Sequence, residues 1–174
     1  MTKESYEYLL ISEHYGNKIA SRSRVPLINH INQGLVVLHE INATTKARRA
    51  FCAHPLFQAD DDLKVNSHLS QFIDSTVLML TMEYRSVAND YLSYKVNTGH
   101  RIRLSPLPEV NDMLIADKVQ NYKDFITYHK DTHARSKDLD TYFNEWLTVL
   151  GVDNQNFLDF CKLIDETATN DELY

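Results

Sequence analysis

Apolar residues recur along most of the chain at intervals of three and four, the period of a helix with one buried face. The clearest stripe is Val110, Met113, Leu114, the ring of Tyr122 and Ile126, which predicts a helix over 110–129. Leu27, Ile31, Leu35 and Leu38 predict another over 26–41, with Pro26 as an early helical residue. The capping sequence Asn42-Ala43-Thr44-Thr45 opens a short helix through His54, in which Ala50, Phe51 and Ala53 pack while Arg48 and Arg49 face outward. Pro55 disfavours helical geometry at His54, so that helix is expected to end there at a kink. Phe72, Ile73, Val77, Leu80, Tyr84, Val87 and Tyr91 predict one long helix over 68–94. Shorter stripes predict helices over 4–20, 138–150 and 154–166, the second stopped by Gly151. Ser21-Arg22-Ser23-Arg24-Val25-Pro26, the proline-bearing 101–109 and Lys130-Asp131-Thr132-His133-Ala134-Arg135-Ser136 read as loops, and Asp60-Asp61-Asp62 as a solvated acidic turn. The expectation is an all-α single domain of about six to eight helices over 1–166, followed by a polar tail, 167–174, that frays.

Composition narrows the function classes. Only 4 Gly and 4 Pro leave few sites for tight hairpins and favour helices joined by short polar loops. With 174 residues, 43% hydrophobic and 24% charged, the chain is long and apolar enough for one core of its own. A net charge of −6 offers no basic footprint, which argues against general nucleic-acid binding but leaves room for a local basic patch. Cys52 and Cys161 lie far apart in apolar helical contexts and read as reduced core residues of a cytoplasmic protein. No apolar run approaches the ~18 residues of a membrane span, and Met1-Thr2-Lys3-Glu4 is unlike a signal peptide. Oligomeric state is not encoded in any of these patterns.

One residue breaks the apolar pattern. Asp117 lies on the buried stripe of its helix, four residues after Met113. Burying even a neutral polar group without a partner costs roughly 2–7 kcal/mol, and a charge costs more, so something must compensate it. A buried Arg, Lys or hydroxyl partner is one answer. A metal ion is another, and His30 and His54 make it worth pursuing, since each sits on or beside the apolar face of a different helix. Two imidazoles and a carboxylate suit Mn²⁺, Zn²⁺ or Fe²⁺. Gly34, one turn beyond His30, leaves room where a side chain would stand.

The residues around these three resemble a known pattern. His14, the basic loop with Arg22 and Arg24, then Pro26-Leu27-Ile28-Asn29-His30, Ala50-Phe51-Cys52-Ala53-His54 and Ala116-Asp117-Lys118-Val119-Gln120-Asn121 follow in the order and at the separations of the HD-superfamily hydrolase domain of the RelA/SpoT type. The resemblance spans about 12–150, and the last motif is its most specific part. Those enzymes remove the 3′-pyrophosphate from (p)ppGpp. The resemblance implies an HD-like helical domain, a divalent metal on His30, His54 and Asp117, and a phosphorylated nucleotide held by Lys18, Arg22, Arg24 and Asn121. It also marks departures. The family's second motif is His-Asp, with the Asp a metal ligand, and Pro55 stands there. The Glu-Asp pair that activates water falls on Gln58 and Ala59; Gln58 can hydrogen-bond a water but cannot take its proton. Asp60, one residue on, reaches that role only if the loop shifts. Three expectations follow: a nucleotide-binding protein with impaired or lost hydrolysis (a sensor, binding subunit or sponge), a working metal-dependent phosphohydrolase, or an interaction domain that keeps only the fold.

Overall fold

The computed structural model describes residues 2–21, 23–130 and 132–168. Among them are eight α-helices and four short 3₁₀ turns, with no strand beyond one isolated antiparallel bridge between Ile19 and Pro26. In chain order the helices are α1 (Tyr6–Tyr15), α2 (Ile28–Glu40), α3 (Thr45–Ala53), α4 (Asp60–Asn66), α5 (Ser75–Asp90), α6 (Pro108–Tyr128), α7 (Ser136–Val149) and α8 (Asn154–Ala168). The chain is all-α, as its apolar period predicts. No helix among the described residues is long and apolar enough to cross a membrane.

α6 is the axis. It packs against α2, α3, α5, α7 and α8, while α3 is held between α1, α2 and α5. A helix surrounded on nearly all sides is ordinarily apolar all round. α6 buries Val110, Met113, Leu114, Ala116, Val119 and Phe125, but it also buries Asp117, Lys118 and Gln120. Those three polar side chains at the middle of the molecule are what the fold has to account for. Lys118, one residue from Asp117, is as deeply buried as its neighbour.

Several boundaries differ from the sequence expectation, each for a local reason. The first helix stops at Tyr15 because Gly16 takes a left-handed φ of 49° and its N–H closes on the Ser12 carbonyl. α2 begins at Ile28; Pro26 instead pairs with Ile19. The expected long helix over 68–94 is broken at Asp74, whose carboxylate accepts the N–H groups of Thr76 and Val77 and so caps α5, with a 3₁₀ turn, Ser67–Phe72, before it. Asp60, Asp61 and Asp62 form the first turn of α4 rather than a loose turn, where their charge suits the positive end of the helix. Ile126 is exposed, and Phe125 takes its place in the core. Arg49 does not face outward: its guanidinium donates twice to the fully buried Glu7 carboxylate, at 2.9 and 2.8 Å. α8 runs to Ala168, into the stretch expected to fray; 169–174 lie outside the described residues.

The third helix ends where Pro55 was expected to end it, with His54 as its C-cap, but the geometry there differs from the expectation. Despite Pro55, His54 keeps helical angles, φ −57° and ψ −38°, and the chain tightens into a 3₁₀ turn, His54–Leu56. Its N–H still reaches the Ala50 carbonyl, and Phe51, Leu56 and Phe57 are wholly buried around it. Core packing overrides the local preference of a residue before proline, and the His54 ring points inward from a regular turn.

Candidate metal centre

Three helices deliver the three expected ligands to one point. His30 stands in the first turn of α2, His54 just past the end of α3, and Asp117 half-way along α6. His30 Nε2 lies 3.3 Å from His54 Nε2 and 3.6 Å from Asp117 Oδ1, and His54 Nε2 lies 3.9 Å from the same oxygen. Donor atoms sharing one ion at about 2.0–2.2 Å sit roughly 3.0–3.6 Å apart. The triangle therefore fits one ion after a contraction of a few tenths of an ångström on its longest edge. The cluster can hold a metal ion.

Their outer contacts fix how these atoms present themselves. His54 Nδ1 is 2.6 Å from the Phe51 carbonyl oxygen, which only accepts, so Nδ1 carries the proton and Nε2 the lone pair. His30 Nδ1 is 2.7 Å from Gln120 Oε1, which again makes Nδ1 the donor. Burial, and then His30 beside it, push the His54 imidazole down to about 3, so it is neutral at ordinary pH. Burial alone would raise the Asp117 carboxyl; Lys118, then His30 and His54, outweigh it and hold the group at about 2. The outcome is two imidazole lone pairs converging on a carboxylate oxygen that also accepts from Asn121, with both imidazole protons turned away from the meeting point.

Asp117 is itself firmly held. Lys118 Nζ donates to Oδ2 at 2.8 Å and Asn121 Nδ2 to Oδ1 at 2.8 Å. The ammonium lies over the rings of Trp146 and Tyr142, 5.1 and 5.5 Å from their centroids, which favours a cation in a dry setting. Burial would lower the Lys118 ammonium, but Asp117 beside it raises it overall. Behind the imidazoles stand Phe51 and Tyr84, each with its ring centroid 4.8 Å from that of His54. The space left by Gly34 is filled by Phe51: a Cβ at Gly34 would lie 2.2 Å from its Cζ.

Two of the three, His30 and Asp117, open on a cavity of about 280 Å³ lined also by Gln120, Asn121, Asp124 and Tyr15, and roofed by the loop residues Ala20, Val25, Pro26 and Leu27. Tyr15 is pushed up to about 12 by burial, then by Asp62 and Asp117, so it lies within the field of both the acidic start of α4 and the centre. Asn121 is thus where the sequence pattern expects it. Lys18, Arg24, Gln58 and Asp60 are not on that lining. Lys18 Nζ donates to the His14 carbonyl at 2.9 Å. Arg24 is exposed, with a left-handed φ of 62°, on the loop that forms the roof. Arg22 lies outside the described residues. Gln58 is tied to Asn89 of α5 through its side chain at 2.7 Å, and Asp60 is paired with Arg85.

Sequence reasoning missed Lys118 as the buried counter-charge, and Gln120 and Asp124 altogether. The signal was there: 117, 120, 121 and 124 fall at the three- and four-residue spacings that place them on one side of a helix. No family model, curated protein or solved structure matches the chain.

Proposed function

We propose that the chain binds a divalent cation, Mn²⁺, Zn²⁺ or Fe²⁺, on His30, His54 and Asp117 and, with it, the phosphate of a phosphorylated nucleotide, hydrolysis being impaired or lost. The observation that carries this reading is the meeting of three acceptor atoms, two imidazole lone pairs and an Asp117 oxygen, with neither imidazole proton turned toward the others. A proton between the two imidazoles would relieve one of the three contacts; a cation relieves all three. When bound, such an ion supplies positive charge to a phosphate ester. Three protein ligands beside an open cavity resemble centres that leave room for a ligand more than closed structural ones.

The chain's own residues divide the remaining work. Asn121 steadies Asp117 through its amide N–H, and its carboxamide oxygen has no partner among the described residues, so it is available to a ligand. The cavity, about 280 Å³, is at the small end of ligand clefts, roughly 300–1,000 Å³. A phosphoryl group fits within it, and the rest of a nucleotide would run out beneath the loop that carries Arg24. The resemblance to the RelA/SpoT-type HD domain supports a nucleotide as that ligand. Impairment follows from Gln58 and Asp60, the residues at or beside the family's Glu-Asp pair, which are engaged by Asn89 and Arg85.

Asp124 favours a second reading, an active metal-dependent phosphohydrolase. Asp124 lines the cavity, and its Oδ1, the oxygen not taken by Gln120, is of the right chemistry to accept a proton from an attacking water. One experiment separates the readings. Purified protein is incubated for hours with Mn²⁺ and nucleotides carrying 5′- and 3′-pyrophosphates, and bound and released species are identified by mass spectrometry. Intact nucleotide retained by the wild type and lost in Asp117→Ala supports binding without turnover. Pyrophosphate or phosphate release that disappears in Asp117→Ala supports the enzyme. Neither metal nor nucleotide uptake would leave an interaction domain that keeps only the fold.

A further inference from the structure

We propose that Gln120 and Asp124 are positioning residues that hold His30 in the tautomer whose Nε2 lone pair faces His54 and Asp117. The proposal deepens the metal-binding reading and uses residues outside the three ligands.

The argument is one of hydrogen-bond polarity. A neutral imidazole carries one proton, and the partner of one nitrogen decides which nitrogen keeps it. For His54 that partner is a backbone carbonyl, whose polarity cannot change. For His30 it is the side-chain amide of Gln120, which can present either its oxygen or its NH₂ group. Turned one way, Gln120 leaves the His30 Nε2 lone pair facing the other two ligands. Turned over, it would donate to Nδ1, move the proton to Nε2 and block the centre. An unrestrained amide would visit both.

Gln120 is restrained. Its Nε2 donates to Asp124 Oδ2 at 2.8 Å and to Gln33 Oε1 at 3.2 Å, so both N–H bonds are used. Gln33 could itself turn over, but an ionised carboxylate only accepts. A flipped Gln120 would set its oxygen against the Asp124 carboxylate. Asp124 therefore dictates the amide, the amide dictates the imidazole proton, and the imidazole presents its lone pair. Gln120 is 1% exposed, so water is a poor substitute for any of these partners. The helices set the spacing: His30 and Gln33 are three apart on α2, Gln120 and Asp124 four apart on α6, and the two helices pack together.

The test reads the proton directly. Long-range ¹H–¹⁵N spectra of the metal-free protein, in mildly alkaline buffer, report which ring nitrogen of His30 is protonated, with His30→Gln supplying the assignment. In parallel, Zn²⁺ affinity is measured by competition with a chelator, and melting temperature is recorded. Wild type is expected to show Nδ1–H. Asp124→Asn, nearly isosteric, should give mixed tautomers and roughly 10–100-fold weaker Zn²⁺ binding, with little change in melting temperature. Gln120→Leu should do the same if it folds. The double variant Gln120→Glu, Asp124→Asn restores a fixed acceptor facing His30 and should recover the Nδ1–H form. An Nε2–H wild type, or Asp124→Asn with unaltered tautomer and affinity, would overturn the proposal. A wild type that shows Nδ1–H and takes up no Zn²⁺ supports the tautomer lock and counts against the metal reading instead.

Discussion

At Gly34, a single missing Cβ is what lets Phe51 stand between α2 and α3. Phe51 in turn supplies the carbonyl that fixes His54 and the ring against which both imidazoles lie. Gly34→Ala would drive a methyl into that ring, and overpacking of this kind costs about 1–3 kcal/mol. Thermal denaturation should show the loss, and metal affinity should fall with it because Phe51 cannot shift without moving His54. Lys118 makes a second residue-scale case. With its partner Asp117 it forms a buried ion pair, and removing one member of such a pair costs about 3–5 kcal/mol. Lys118→Met should therefore destabilise the metal-free protein strongly in urea titrations, and Asp117→Asn in the same chain should return part of the loss. The sequence showed that Asp117 needed compensation; it did not show that Lys118 provides it. A lysine beside an aspartate on a helix ordinarily projects elsewhere, and only the ring of helices around α6, with Trp146 and Tyr142 brought in from α7, makes both positions interior.

Among the elements, legibility followed the strength of the local signal. α2, α3, α7 and α8 were readable because each buries one stripe, and α6 because its apolar positions keep the helical period even though it is buried nearly all round. Thr44 shows the same for a helix start: its hydroxyl accepts the Ala47 N–H at 3.1 Å, where the capping sequence places it. Thr44→Ala should cost about 1 kcal/mol and lower the melting temperature by roughly 2–4 °C for a chain of this size, while leaving metal affinity untouched. Asp74 was misread because apolar residues continue on both sides of it, and the period alone does not reveal a cap inserted between them. α4 was missed because three consecutive acids look like a loop by composition, although a helix start is where they are most comfortable. At His54 the proline rule gave the helix end correctly but not the angles, because burial of the surrounding residues keeps the residue before proline helical.

For the whole molecule, the candidate centre was legible only in outline. The apolar pattern pointed to His30, His54 and Asp117, the resemblance added Asn121, and these four do come together. Lys18 and Arg24 were assigned through the resemblance, yet side chains on a loop answer to how that loop folds back, here through the Ile19–Pro26 bridge. A bound ion would cross-link α2, α3 and α6. Zn²⁺ or Mn²⁺ at about a hundred times its dissociation constant would add about 2.7 kcal/mol to stability, a rise in melting temperature of roughly 5–11 °C. Calorimetry with and without chelator measures this, and His54→Ala should abolish the difference.

Because each donor rides on its own helix, the centre has no local precursor. A collapsed chain with its helices formed but undocked would own all three side chains and have nowhere to bring them. Spectroscopic Co²⁺ or Mn²⁺ uptake followed during refolding would consequently mark the instant α6 settles between α2 and α3, a clock for assembly built into the protein's own middle.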